Sequence, residues 1–171
     1  FIVAVIGKPN TGKSSFINKI AKREISIVTD EPGTTRDLLE LFVDFRGLPV
    51  KFYDTAGLRM FKNKAEEIGI KKARNITSLA DINLVFIENT NEIYAYESTN
   101  NKLFIKSKSD ISNKIEHEKI FNISSFTGEG FKELFDKIYF SLEAEIQEED
   151  SNVSRERHIN ALNKTLKHLE N

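Results

Sequence analysis

The chain opens with FIVAVI, an unbroken apolar run rich in β-branched residues. Such a run is typical of a strand that is buried on both faces of a parallel sheet. A glycine-containing turn follows, and the segment SSFINKIAK then repeats apolar residues at helical spacing. The first quarter of the chain therefore predicts a strand, a turn and a helix, followed by an exposed polar loop over residues 23–37.

Short apolar runs continue the pattern. LLELFVDF and VKFY predict two strands joined across RGLP as an antiparallel hairpin, and INLVFIE, KLFIK and KIFNI predict three more strands. EEIGIKKARNITSLA and GFKELFDKIYFSLEAEI have helical periodicity. Residues 89–101 are close to the minimum length for a crossover between parallel strands, so we expect a short or irregular helix there.

Strands that alternate with helices predict an open α/β fold with crossover helices. The expected sheet is mostly parallel, with one antiparallel edge hairpin. We predict a domain over residues 1–147, a polar acidic linker over 148–154 and an extra C-terminal helix over 155–171. That helix carries one narrow apolar stripe, which either folds back on the domain or packs on a neighbouring domain.

Composition limits the classes of function. A chain of 171 residues fits one domain with a short appendage, and a net charge of -1 gives no broad electrostatic case for nucleic acid or an acidic membrane. The absence of cysteine excludes disulfides and is compatible with the cytoplasm, the expected location. The apolar opening is far too short to cross a membrane. Because the chain lacks a starting methionine, we expect a piece of a longer protein.

The turn after the first strand carries the strongest chemical signal. GKPNTGKS matches the phosphate-loop pattern GxxxxGK[ST] between a predicted strand and a predicted helix. Glycines let the backbone wrap around phosphate oxygens, Lys13 supplies positive charge, and the Ser14 hydroxyl suits Mg²⁺. The predicted contacts to the nucleotide in this loop are Asn10, Thr11, Gly12, Lys13, Ser14 and Ser15.

Two later segments predict the rest of a magnesium and γ-phosphate site. Asp54 ends a strand and can reach the same Mg²⁺ through water, while GTTRD offers Thr35 as a further magnesium ligand. Mg²⁺ is thus expected at Ser14, Thr35 and Asp54. The nucleotide contacts predicted here are Thr29, Asp30, Glu31, Pro32, Gly33, Thr34 and Thr35, with Asp54, Thr55, Ala56 and Gly57.

IKSKSD predicts the part of the site that reads the base. Lys108 and Asp110 have the spacing of the guanine-reading N-K-x-D pattern, and a carboxylate can accept from the two N–H groups on guanine's edge. Ser107 stands where the pattern has Asn. We expect this change to remove an amide that contacts the base and ties down the phosphate loop, lowering affinity or selectivity. SSFTGEG resembles a loop that closes over the base, through Ser124, Ser125 and Phe126.

DTAGLR raises a question about catalysis. Many small GTP-hydrolysing switches have a glutamine after this glycine to orient the attacking water, whereas this chain has Leu58. A leucine can neither bind nor orient water. Either the protein binds the nucleotide without hydrolysing it, or another residue supplies the missing group.

Four segments resemble one family: PNTGKSS, VTDEPGTTRD, DTAGLR with EEIGIKKA, and the tail RERHINALNKTLKHLEN. They are similar to the MnmE (TrmE) family of tRNA wobble-uridine modification GTPases, which implies a Ras-like P-loop GTPase fold that binds GTP and GDP. The resemblance implies that Glu66 orients the water, with Glu67 as the near alternative. It also implies a K⁺ ion held by Asn10, Thr29, Glu31 and Thr34.

The same resemblance implies partners. G domains of this family pair across their nucleotide faces, and the full protein acts with the flavoprotein MnmG on tRNA. The tail over residues 155–171 resembles part of the family's helical domain, and no membrane partner is expected. Two alternatives stay open: a nucleotide-sensing module with negligible hydrolysis, and an Era- or EngA-like GTPase of ribosome assembly.

Overall fold

The computed structural model describes residues 1–23, 40–55 and 64–147, without the side chains of residues 64–68 and 70. Within these residues, six strands form one sheet: β1 (Ile2–Gly7), β2 (Glu40–Phe45), β3 (Leu48–Asp54), β4 (Ile82–Phe86), β5 (Lys102–Lys106) and β6 (Ile120–Asn122). The α-helices are α1 (Lys13–Arg23), α2 (Lys64–Leu79) and α3 (131–147), and a 3-10 helix spans Thr90–Tyr96.

The strands lie in the order β2-β3-β1-β4-β5-β6. The pair β2 and β3 is antiparallel, and the other four pairs are parallel. This confirms the predicted mostly parallel sheet with one antiparallel edge hairpin. The predicted strands and helices of the described residues all form. The connection over residues 89–101 contains the short helix that its length led us to expect.

Each face of the sheet buries one apolar cluster. On the first face, α1 and α3 pack together through aromatic rings: Phe16 lies 5.4 Å from Phe86 and 5.6 Å from Phe131, measured between ring centroids. On the second face, α2 contributes Ala73 and Ile76 to a smaller cluster. The sheet is therefore covered on both sides, which explains why its central strands are continuous apolar runs.

The topology determines where a ligand site lies. Strand β1 pairs with β3 on one side and β4 on the other, and the helices α1 and α2 pack on opposite faces. In open α/β sheets such a switch point leaves a crevice at the carboxyl ends of the strands. The segments that follow β1, β3, β5 and β6 meet at this edge.

The outer half of the sheet is simpler than a regular α/β unit. Strands β5 and β6 are parallel, yet residues 107–119 join them without an α-helix. This irregular segment begins with Ser107, Lys108 and Asp110, so the predicted base-reading residues lie in a turn at the ligand-binding edge. None of the helices in the described ranges is long and apolar enough to cross a membrane. The predicted linker and C-terminal helix lie outside the described residues.

Candidate nucleotide-binding site

The turn between β1 and α1 is shaped to receive an anion. Its backbone passes through left-handed conformations at Asn10 (φ 63°) and Gly12 (φ 94°). The Phe16 N–H donates to the Gly12 carbonyl at 3.0 Å, which is an early hydrogen bond of the helix. Amides at a helix start have no partner within the helix, and they point their positive dipoles at the turn.

Lys13 is held inside this loop. Its side chain is buried, and Nζ donates to the Lys8 carbonyl and, at 3.3 Å, to the Thr11 hydroxyl. That hydroxyl in turn donates to the Lys8 carbonyl at 2.8 Å. The ammonium group is thereby fixed beside the backbone amides, where its charge can neutralise phosphate oxygens.

Ser14 and Asp54 meet where the sequence predicts magnesium. The Ser14 hydroxyl donates to Asp54 Oδ2 at 3.0 Å, although the two residues are 40 positions apart. Thr55 donates from both its N–H (3.2 Å) and its hydroxyl (2.9 Å) to the Val5 carbonyl, which holds the end of β3 against β1. A hydroxyl and one carboxylate fit Mg²⁺, because proteins bind this ion through one or two carboxylates together with substrate phosphates.

The base-reading turn is tied directly to the phosphate loop. The buried Ser107 hydroxyl donates to the Thr11 carbonyl, and Lys108 Nζ donates to the Asn10 carbonyl at 2.8 Å. The expectation that serine at position 107 would leave the phosphate loop untied was therefore wrong. The two loops approach so closely that the short serine side chain reaches the carbonyl. A longer side chain with an amide group is not needed.

A cleft of about 190 Å³ lies between these loops. Its lining consists of Gly12, Ser15, Ser107, Lys108, Asp110, Ile111, Ser125 and Phe126. Seven of these eight residues were predicted from the sequence to contact the nucleotide. The eighth, Ile111, was missed because the motif describes only the polar positions. Ile111 and Phe126 are 79% and 87% exposed, so the cleft has two apolar residues at its rim.

The loop after β6 is shaped by Ser124, whose side chain is fully buried. Its hydroxyl oxygen accepts from the N–H groups of Phe126 (3.2 Å) and Thr127 (3.1 Å). Ser124 thus positions the loop that contributes Ser125 and Phe126 to the cleft. A contact between Ser124 itself and a nucleotide stays a prediction.

An ion pair joins the two base-side loops. Lys114 donates to the Glu129 carboxylate, and the Ser109 hydroxyl donates to the same group at 3.4 Å. The hydrogen bond from Lys114, together with its charge, lowers the pKa of Glu129 below its ordinary value. Glu129 is therefore ionised at neutral pH, when it can hold the loops after β5 and β6 together.

Sequence reasoning missed a buried carboxylate beside the phosphate loop. Glu92 is 7% exposed, and its Oε1 accepts from Asn89 Nδ2 at 3.0 Å and lies 3.2 Å from Lys8 Nζ. Asn89 caps the 3-10 helix, accepting from the Asn91 N–H at 3.1 Å. The spacing Asn-x-x-Glu is a variant of the capping-box pattern and was the available sequence signal.

Several predicted site residues cannot be compared with the geometry. Thr29, Asp30, Glu31, Pro32, Gly33, Thr34, Thr35, Ala56, Gly57 and the position of Leu58 lie outside the described residues. The backbone of Glu66 lies in the first turn of α2, but its side chain is also outside the description.

The comparison with protein families agrees with this geometry. A family model described as "50S ribosome-binding GTPase" matches residues 2–122, well over half of the chain. The chain belongs to this GTPase family. It is a GTPase domain, and the family implies that GTP, GDP and Mg²⁺ are its ligands.

The predicted resemblance to MnmE is confirmed by curated relatives. The "tRNA modification GTPase MnmE" of Brucella ovis is 38% identical over 171 residues, and that of Brucella anthropi is 40% identical over 173 residues. Each match covers 98% of this chain and 39% of the relative. The GTPase domain thus spans well under half the length of these relatives.

Solved structures support the fold. The G domain of the Thermotoga maritima FeoB iron transporter matches with a TM-score of 0.57 at 24% identity, covering 82% of this chain and 98% of that one. A structure of Era from Aquifex aeolicus matches with a TM-score of 0.55 at 22% identity, covering 80% of this chain and 55% of that one. These likenesses confirm the predicted P-loop GTPase architecture.

Gly12 provides a test of the contact between the two loops. A Cβ atom at Gly12 would lie 2.9 Å from Ser107 Cβ and closer still to its hydroxyl, in a left-handed conformation that already disfavours alanine. We expect Gly12→Ala to weaken GDP binding by about tenfold or more, because overpacking of roughly 1–3 kcal/mol displaces the phosphate loop. Isothermal titration calorimetry measures the affinity.

Gly47 offers a matched control. It also has a left-handed backbone (φ 88°), but a Cβ atom there would meet nothing within 4 Å. Gly47→Ala should therefore carry the backbone strain without the collision, and should retain the wild-type affinity for GDP. Equal losses of affinity in the two variants would contradict the proposed role of the Gly12–Ser107 contact.

Proposed function

We propose that the chain hydrolyses GTP by a K⁺-activated mechanism and serves the modification of wobble uridine in tRNA. The observation that carries this proposal is the 38–40% identity to MnmE proteins, which extends over 98% of the chain. In the reaction, water attacks the γ-phosphorus of GTP, the bond to the bridging oxygen of GDP breaks, and inorganic phosphate is released.

The phosphate loop would bind and position the substrate. The ammonium group of Lys13 and the amides at the start of α1 would hold the β- and γ-phosphates. Ser14 and Asp54 are 3.0 Å apart through their oxygens, so both can serve one Mg²⁺ ion, with Thr35 as the third protein ligand and Asp54 acting through water. The ion would neutralise charge on the phosphate oxygens.

Asn10 is the described residue that we assign to K⁺. It is exposed at the tip of the phosphate loop, in a left-handed turn whose carbonyl is already held by Lys108. Amide oxygens are suitable K⁺ ligands because they replace the hydration shell of this ion. Thr29, Glu31 and Thr34 would complete the site, and the cation would take the place of an arginine finger in stabilising the transition-state charge.

We assign the role of the missing glutamine to Glu66. A carboxylate in the first turn of α2 can accept from a water molecule and orient it for attack. The neighbouring Glu67 follows on the same helix, at a position about 100° further around the helix axis, and is the alternative for this role. On this proposal Leu58 is not a loss of catalysis.

The wider role concerns the longer protein that MnmE relatives represent. We propose that two G domains pair across their nucleotide faces, and that the whole protein works with MnmG on tRNA in the cytoplasm. The tail over residues 155–171 would then belong to a helical domain. Pairing would order the potassium loop and complete each site, which connects nucleotide state to the tRNA reaction.

The first test compares GTP hydrolysis in K⁺ with hydrolysis in the same concentration of Na⁺, at several protein concentrations. We expect faster turnover in K⁺ and a specific activity that rises with protein concentration, because pairing completes the site. Phosphate release is the measurement. Equal, slow turnover in both salts would remove K⁺ from the mechanism and favour a nucleotide-sensing module.

The second test separates the two glutamates. Glu66→Ala should lower kcat by roughly 10²–10⁴, the range for a group that assists proton transfer or orients water, and leave GDP affinity unchanged. Glu67→Ala is the matched control on the same helical turn and should keep kcat within about twofold. A large loss in Glu67→Ala alone would move the catalytic assignment to Glu67.

A ribosome-assembly GTPase is a second candidate, favoured by the description of the matching family. Deletion of the gene separates the two roles. We expect tRNA digests analysed by mass spectrometry to lose modified wobble uridine, while ribosomal subunit profiles stay normal. Normal tRNA nucleosides with abnormal subunit profiles would support the second candidate instead.

A further inference from the structure

The single hydroxyl proton of Ser107 is already engaged in a hydrogen bond to the Thr11 carbonyl. A serine hydroxyl carries one O–H donor and two acceptor lone pairs. Its partner in this structure is the Thr11 carbonyl, which can only accept, so the proton must lie between the two oxygens. Ser107 is 5% exposed and lines the cleft between the base-side and phosphate loops. Toward the cleft, this side chain can therefore accept a hydrogen bond but not donate one.

The neighbouring cation is also directed to the phosphate loop. Lys108 Nζ donates to the Asn10 carbonyl at 2.8 Å, so its end group lies on the phosphate loop. Asp110 lines the same cleft and, when ionised, is an acceptor. Ser107 and Asp110 thus face the cleft as acceptors, while the Lys108 ammonium group is held at the phosphate loop.

Guanine has two chemically different edges. One edge carries the acceptors N7 and O6, and the other carries N–H groups. An Asp110 carboxylate suits the edge with the N–H groups. The N7 acceptor requires a donor, and an acceptor-only hydroxyl at position 107 cannot supply it.

We propose that nucleotide recognition in this chain does not depend on N7 of the base. Ser107 acts as a positioning residue that holds the phosphate loop, and the Asp110 carboxylate provides base selectivity. This inference rests on the proposed placement of guanine in the cleft. The sequence led us to expect a site with generally lower affinity or selectivity. The proposal is more specific: only N7 of the purine receives no hydrogen bond from the protein.

The packing around Gly12 explains why Ser107 cannot serve both purposes. Ser107 occupies the space that a Cβ atom of Gly12 would need, so its side chain is pressed against the phosphate loop. In this position the hydroxyl is directed to the Thr11 carbonyl. An asparagine amide has two N–H donors and could donate to a carbonyl and a base together.

The test compares the binding of GDP and 7-deaza-GDP, in which a C–H group replaces N7, to the whole chain by calorimetry. We expect 7-deaza-GDP to bind as tightly as GDP or more tightly, because replacing N7 removes no hydrogen bond to the protein. A neutral hydrogen bond to N7 would instead favour GDP by roughly twofold to tenfold. A preference for GDP of about threefold or more would overturn the proposal.

Three variants locate the effect. Ser107→Ala should weaken both nucleotides by the same factor, since it removes only the hydrogen bond to Thr11. Ser107→Asn adds a second donor and should bind GDP about threefold or more tightly than 7-deaza-GDP. The matched control is Ser109→Ala. The Ser109 hydroxyl donates to Glu129 and not to the phosphate loop, so the ratio of GDP affinity to 7-deaza-GDP affinity should stay near one in this variant.

The variants also give outcomes against the proposal. Equal binding of the two nucleotides by Ser107→Asn would mean that N7 does not lie beside position 107. A different ratio in Ser107→Ala from that of the wild type would mean that the native hydroxyl contacts the base. ADP, measured in parallel, separates this inference from the proposed site: if ADP binds as tightly as GDP, guanine is not read in the cleft at all.

Discussion

The orientation of the phosphate-loop carbonyls is the constraint on which the rest of the site depends. A peptide group points its N–H and its C=O in opposite directions, so amides can face an anion only if the carbonyls are held away from it. Here three of these carbonyls accept from side chains: the Lys8 carbonyl accepts from Thr11 and Lys13, the Asn10 carbonyl from Lys108, and the Thr11 carbonyl from Ser107. These donor side chains belong to two segments: the phosphate loop with the start of α1, and the turn after β5.

This arrangement couples the two ends of a bound nucleotide. Ser107 and Lys108 follow β5, at the edge where the base is expected, yet their hydrogen bonds end on the loop that would hold phosphate. A third support comes from the 3-10 helix, where the buried Glu92 pairs with Lys8 at 3.2 Å. The Ser107 hydroxyl has no second proton to donate to a ligand, which is the physical basis for separating positioning at Ser107 from base selectivity at Asp110.

The irregular crossovers are consistent with this design. A 3-10 helix lies between β4 and β5, and an irregular segment without an α-helix joins β5 to β6. Shorter connections bring Asn89, Glu92 and the base-side turn close to the sheet edge. The ion pair between Lys114 and Glu129 joins the two base-side loops.

The sequence by itself determined the elements and most of the site, because their signals are local. Apolar periodicity predicted the strands and helices. PNTGKSS, SKSD and SSFTGEG together identified seven of the eight residues that line the cleft. Tertiary structure decided what local spacing cannot encode: the contact of Ser107 with Thr11 across 96 positions, the ion pair between Lys8 and Glu92, and Ile111 at the rim. A side chain's hydrogen-bond partner depends on the distance between loops. That distance is determined by the pairing and packing of strands far apart in the chain.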